Sequence, residues 1–296
     1  MNKHGANDTV GGRSLWQNAG ERLRRNKAAM FSLWLLLFFV VLVVAGPWLA
    51  QHDYTQTNLS LGSTAPSLAG GHWFGTDALG RDVLARTLAG GRISLLVGLV
   101  ATLVSLLIGV FWGAVAGYCG GRVDALMMRF VDTLYAMPFM FFVILLMVVF
   151  GRNILLIFVA IGAINWLDMA RIVRGQTIGL RHREFIQAAT LMGAGTLTII
   201  ARHVIPNLLG VVVVYVTLTI PQVMLVESFL SYLGLGVQEP FTSWGALVNQ
   251  GALEMETAPW LLVFPALFLA GTLFCFNFIG DGLRDALDAK SDEDGW

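Results

Sequence analysis

The chain has 296 residues, of which 56% are hydrophobic and only 13% charged, and its 19 basic and 19 acidic residues cancel. Soluble domains carry about 25% charged residues, so this composition excludes an ordinary soluble domain. The mean hydropathy of +0.70 points to an integral membrane protein, and the absence of net charge gives no sign of a nucleic-acid partner.

Residues 1–29 are polar and basic and read as a cytoplasmic N-terminal tail. The apolar run after them, residues 30–50, is too long for the core of a cleaved signal peptide and reads as a retained first span. Residues 51–92 form a long Gly-rich outer, periplasmic loop. A helix needs roughly 20 apolar residues to cross a bilayer, and five further candidates follow. The second span is about Ile93 to Gly117, where Gly109, Gly113 and Gly117 make a flat stripe. Such a stripe lets a helix approach closely, within this chain or from another. The third is about Phe130 to Phe150, with Asp132 and Pro138 inside. The fourth, about Ile154 to Ala170, loses its unbroken apolar character at Asp168. The fifth, about Leu208 to Leu230, contains Pro221 and Glu227, and the sixth is about Trp260 to Ile279. Residues 284–296 make an acidic cytoplasmic tail. The expected fold is all-α, with six transmembrane helices and five of them in a core spanning residues 93–283.

Charge sets the orientation. With the N-terminus inside, the inner segments hold Lys3, Arg13, Arg22, Arg24, Arg25, Lys27, Arg122, Arg129, Arg171, Arg174, Arg181, Arg183, Arg202, Arg284 and Lys290. Only Arg81, Arg86, Arg92 and Arg152 fall outside. This positive-inside bias places both termini in the cytoplasm.

Catalytic signatures are missing. The three lysines, Lys3, Lys27 and Lys290, lie in no phosphate-binding Gly-rich loop. The five histidines make no helical zinc-protease pair, and no nucleophile elbow is present. Cys119 and Cys275 stand far apart and read as free thiols. Carboxylates within spans are costly and mark functional candidates. Asp132 and Asp168 fall near the inner boundary, where they read as hydrated helix ends. Glu227 and the kinking Pro221 are candidates for lining or gating a pathway. A self-sufficient ion-coupled carrier would depend on such carboxylates, but no inverted repeat is evident. A membrane enzyme would need a nucleophile and base that the sequence does not bring together.

The stretch "EFIQAATLMGAGTLTIIARHVIPN" (Glu184–Asn207) is different in kind. Read as a short helix, Glu184 to Gly193 puts Phe185, Ala188, Ala189 and Met192 on one face, small at its centre and larger at its ends. Gly193 permits a sharp turn after it, and Pro206 is suited to start the fifth span. The element reads as a rigid cytoplasmic knob joined to two spans.

These residues resemble the cytoplasmic "EAA" loop of the permease subunits of ATP-binding-cassette importers, E-A-A-x3-G-x9-I-x-L-P. Gln187, Ala188 and Ala189 fall on E-A-A and Gly193 on the glycine, while His203, Ile205 and Pro206 fall on I, L and P. Gln187 replaces a glutamate and His203 an isoleucine. "FGTDALGRDVLAR", "GGRISLLVG", "AGYCGGRVDALMMR" and "FNFIGDGLRDALD" are similar to the C-type permeases of dipeptide, oligopeptide and nickel importers. "GRSLWQNAGERLRRNKAA", "PFMFFVILL", "NILLIFVAIG" and "WLDMARIVRGQT" are similar to the oligopeptide branch of that family. The resemblance implies a type I importer permease fold in the bacterial inner membrane and a second homologous permease completing the pathway. It also implies two ATPase subunits that bind and hydrolyse ATP, and a periplasmic binding protein that delivers peptide. The permease itself binds no cofactor. The resemblance places the coupling contact on residues 171–206, through Glu184, Phe185, Gln187, Ala188, Ala189, Met192, Gly193, His203 and Pro206. Dipeptides, nickel or another solute of the family are the alternative cargoes.

Overall fold

The computed structural model describes residues 15–68, 70–150 and 154–288. Most of the N-terminal tail's first half, including Lys3 and Arg13, lies outside the described residues, as do Arg152, Lys290 and the end of the acidic tail.

Among the described residues the architecture is helical, with only the isolated bridges Ser67–His72 and Thr76–Asp82. The elements are α1 (Leu15–Arg25), α2 (Lys27–Leu49), α3 (Val83–Cys119), α4 (Gly121–Tyr135), α5 (Phe139–Phe150), α6 (Ile154–Arg181), α7 (Glu184–Leu191), α8 (Thr196–Ile199), α9 (Ile205–Tyr232), α10 (Trp244–Leu253) and α11 (Trp260–Asp288). A π-turn, Ile200–Val204, joins α8 to α9.

Four helices are long and apolar enough to cross a membrane: Lys27–Leu49, Val83–Cys119, Thr196–Tyr232 and Trp260–Leu287. The other two expected spans differ from the sequence reading for physical reasons. The third is broken. Pro138 disfavours helical geometry in the residue before it, so α4 stops at Tyr135 and α5 starts afresh at Phe139. The 12 residues of α5 reach only about 18 Å, short of a hydrocarbon core of about 30 Å. The fourth continues past Ala170 as α6, whose second half carries Asp168, Arg171, Arg174 and Arg181.

Two helix starts also move. α3 begins at Val83, ten residues before the expected Ile93, so the loop ends at Asp82 and Arg86 and Arg92 are helical. Asp82 caps α3 by accepting a bond from the Ala85 N–H at 2.7 Å, which satisfies an otherwise orphaned donor. α8, the π-turn and α9 run together from Thr196. Within that run Pro206 lies in the first turn of α9, as expected, and the π-turn before it is closed by the Ile205 N–H bonding to Ile200 O.

The spine of the bundle is α3 packed against α6. The glycine stripe faces α6 of the same chain. A Cβ at Gly109 would lie 2.6 Å from Met169, at Gly113 2.4 Å from the Ala170 carbonyl, and at Gly117 2.7 Å from the Arg174 carbonyl. Arg174 then ties α6 to α4 through a two-pronged pair with Asp124 at 2.5 and 2.7 Å. α10 inserts Trp244 into the other side of α3: its N–H donates to Ser94 Oγ at 3.0 Å and its indole N–H to Thr87 O at 2.8 Å. Around this core, Phe31, Trp34, Phe38, Leu99, Leu103, Leu107 and Phe111 remain exposed, as lipid-facing side chains would. Cys119 and Cys275 are free thiols.

A candidate coupling site at one end of the bundle

The turn from α6 into α7 closes beside the end of α3. Glu184 sits in the first turn of α7, where a carboxylate complements the helix dipole. The far end of α7 is a Schellman motif: the Gly193 N–H donates to Thr190 O at 3.0 Å and the Ala194 N–H to Ala189 O at 3.1 Å. Gly193 takes φ +82°, the left-handed geometry this motif requires and glycine accepts without strain. The element is thus a short helix with a fixed stop, not an open loop.

Its faces differ from the sequence reading. Ile186 and Ala189 are buried at 1% and 3% exposure and pack with Val110, Met169 and Val204 in the core cluster. The outward face is Phe185, Ala188, Leu191 and Met192, the last two 89% and 81% exposed. Ala189 therefore holds α7 down and does not share the face of Phe185, Ala188 and Met192. Nothing in an eight-residue helix with apolar groups on several sides dictates which stripe turns inward, so the periodicity was ambiguous. Leu191 and Leu197, 68% exposed, extend the apolar patch beyond the expected residues.

Beside this patch lies an open cleft of about 710 Å³ bordered by Tyr118, Cys119, Arg181, Gln187, Leu191 and Thr196. Gln187, at the position where the motif has glutamate, donates its amide to His182 O at 3.3 Å. His203 is half-buried and Pro206 exposed. The His203 carbonyl accepts the Asn207 side-chain amide at 2.6 Å. Phe185, Ala188 and Met192 thus gather on one exposed surface, while His203 and Pro206 lie on the next helix.

Glu227 and Pro221 sit in the interior. Glu227 is fully buried and accepts bonds at Oε1 from Ser231 Oγ at 2.8 Å and Ser243 Oγ at 2.7 Å. Ser243 in turn caps α10 by accepting from the Ala246 N–H. In this structure Glu227 fastens the end of α9 to the start of α10 and lines no open passage, and Pro221 is likewise buried.

At the opposite end is a second built feature, which sequence reasoning missed. Asp77 accepts from the Leu79 and Arg81 N–H groups at 2.9 and 3.0 Å, from Arg81 Nε at 2.7 Å and from the buried Arg86 guanidinium. Arg81 reaches on to Glu239 at 2.7 Å, and Arg86 to Gln250 at 3.1 Å. This clamp joins the 51–82 loop to α3, α10 and the 233–243 loop. Burial alone would raise the Asp77 carboxyl, but the Arg81 N–H and the two guanidiniums outweigh it and hold it below the usual range. The signals in the sequence were the charge run Asp77, Arg81, Asp82 and Arg86 and the stretch "FGTDALGRDVLAR" that contains it.

Comparison with known proteins bears on both ends. A family model for the binding-protein-dependent transport system inner membrane component matches residues 109–292, which contain α7 and its cleft. The chain belongs to this permease family. A second model, the N-terminal TM domain of oligopeptide transport permease C, matches residues 14–66. The chain is 58% identical over 279 residues to the oligopeptide transport system permease protein OppC of Haemophilus influenzae, covering 94% of this chain and 90% of the relative. It is 58% identical over 281 residues to OppC of Escherichia coli strain K12, covering 95% and 93%. It is 48% identical over 278 residues to the dipeptide transport system permease protein DppC of Bacillus subtilis, covering 94% and 86%. As a permease of this family the chain is a non-catalytic membrane subunit of an ATP-binding-cassette importer.

Proposed function

We propose that this permease conducts oligopeptides inward across the bacterial inner membrane, driven by ATP hydrolysed in partner subunits that grip α7. The observation that carries the cargo is the 58% identity, along nearly the whole chain, to oligopeptide permeases. The alternative, dipeptides, is less well supported: the dipeptide permease of Bacillus subtilis is 48% identical, below the 58% of the oligopeptide permeases.

The chain path supports six crossings with both termini cytoplasmic. The 51–82 and 233–259 loops meet through Arg81–Glu239 and the Trp260 indole bond to Thr76 O, so they share one side. Arg181 approaches Gly120, and Leu23 of α1 approaches Gly282 of α11, so those connections pair likewise. α4 with α5, and α6, supply the two crossings beyond the four long apolar helices. Most of the basic residues then fall inside, which favours α7 in the cytoplasm and the Asp77 clamp, with Arg81 and Arg86, outside. A second homologous permease completes the pathway, two nucleotide-binding subunits lie beneath, and a peptide-binding protein docks on the outer loops. No nucleic acid is involved, and ATP is bound by the partners alone.

Ala188→Trp tests this reading. Ala188 is exposed beside Phe185 and Met192, so the bulky ring blocks a docking partner and leaves the chain's own packing intact. In a mild-detergent pull-down, the variant should retain the second permease and lose the nucleotide-binding subunits about 10-fold, the loss expected for disrupting a central interface anchor. A wild-type chain that purifies alone and moves solute in liposomes without ATP would overturn the importer assignment.

A further inference from the structure

The break between α4 and α5 opens a cavity of about 550 Å³ against α6, bordered by Tyr135, Met137, Pro138, Phe142, Trp166 and Asp168. That volume is in the range of small-molecule sites. Its walls are mostly aromatic or apolar, and Asp168 is the one carboxylate among its lining residues. Asp168 is half-exposed, and among the described residues no hydrogen bond or ion pair engages it. The cation one turn away is already committed: Arg171 bonds Asp132 at 2.7 Å and lies over the Tyr135 ring at 4.2 Å.

A carboxylate on an apolar wall within a membrane helix is costly unless a cation meets it. A bare metal ion would need several oxygen ligands, and one carboxylate does not supply them. An ammonium needs only one carboxylate and gains from aromatic faces beside it. An apolar helix from a neighbouring subunit would bury the carboxylate uncompensated. We propose that this cavity is a cargo subsite in which Asp168 receives the N-terminal ammonium of a peptide in transit, with Phe142, Trp166 and Met137 taking its first side chain. The inference rests on the oligopeptide reading above.

The test uses the complete importer in nanodiscs, without binding protein, and a tripeptide bearing a photoreactive diazirine-leucine at its first position. Adducts are mapped by mass spectrometry. Adducts on Tyr135, Phe142 and Trp166 are expected. They should fall about 10-fold for the N-acetylated tripeptide and for Asp168→Asn, the scale of a lost charge-assisted bond, and return with Asp168→Glu. Co-purification of the second permease and both nucleotide-binding subunits with each variant shows that the complex is assembled. Adducts only elsewhere, or undiminished in Asp168→Asn, would overturn the subsite. Labelling displaced by phosphatidylethanolamine in the disc but not by unlabelled peptide would assign the cavity to a lipid ammonium instead. A parallel uptake assay in proteoliposomes separates the two levels: wild-type uptake of peptide with a negative labelling result removes the subsite alone, and no ATP-driven uptake removes the oligopeptide reading with it.

Discussion

Gly113→Val should prevent stable accumulation of the chain. A Cβ at this position would lie 2.4 Å from the Ala170 carbonyl and 2.9 Å from the Arg174 nitrogen. Both are backbone atoms of a facing helix, so no side-chain rotation relieves the overlap. Overpacking by one group costs about 1–3 kcal/mol where side chains can adjust. Here α3 and α6 must separate along their length, and the Gly109 and Gly117 contacts are lost as well. The expected readout is a collapse in detergent-extracted yield and in the thermal midpoint of what remains. Gly175→Ala on α6 is the control, because nothing lies within 4 Å of a Cβ there and alanine favours a helix by about 1 kcal/mol. A Gly113→Val chain with wild-type yield and midpoint would show that the two helices do not meet as described.

Asp77→Ala should release the 51–82 loop. The substitution removes the main partner of Arg86, which is 4% exposed. Gln250 at 3.1 Å and Glu239 at 3.7 Å remain, and the Leu79 and Arg81 N–H groups lose their acceptor. Breaking a buried pair from one side costs about 3–5 kcal/mol. The lower figure corresponds to about a 100-fold rise in loop opening, read as faster proteolysis of the 51–82 segment in detergent. Glu239→Gln should change the cleavage rate little, since its side chain is 59% exposed and exposed pairs contribute about 0–1 kcal/mol. Equal cleavage rates in wild type and Asp77→Ala would show that the clamp does not hold the loop. The clamp also predicts a pH dependence. The Asp77 carboxyl titrates lower in the folded chain than in the unfolded one. Its stabilisation is therefore fully present above the unfolded value of about 3.9 and fades as pH falls through the lower folded value. Wild type should lose loop protection in acid along that course, and Asp77→Ala should not show this component.

The spans with unbroken apolar runs were legible from composition. α2 and α11 begin within a few residues of where hydropathy puts them, since nothing polar competes there. The start of α3 was not, because Arg86, Gly90, Gly91 and Arg92 look like loop. Their helicity depends on Asp82 as a cap and on Trp244 packing over Gly91, within 2.6 Å of a Cβ there, and both are tertiary facts. The motif around Gly193 gave the position and turn of α7, but Ala189 changed sides, because only the core beneath decides which apolar stripe is buried. The Asp77 clamp was out of reach of local reading: Arg81 and Glu239 are 158 residues apart. Glu227 was noticed as an intramembrane carboxylate, and its serine partners, especially Ser243, emerge only when α10 folds back on α9.

The unbroken helix from Thr196 to Tyr232 has 37 residues, a length of about 55 Å in a hydrocarbon slab of about 30 Å. A rod longer than the slab it pierces behaves as a lever, with the bilayer as fulcrum. Its short arm begins three residues after Gly193 of the Schellman turn, so α7 has almost no slack through which a sideways push could be lost. At its other end Glu227 and Ser231 are bolted to Ser243, and α10 carries Gln250 to Arg86. Movement at one face of the membrane is therefore geometrically joined to the loop seat at the other by a single solid part and one pinned joint.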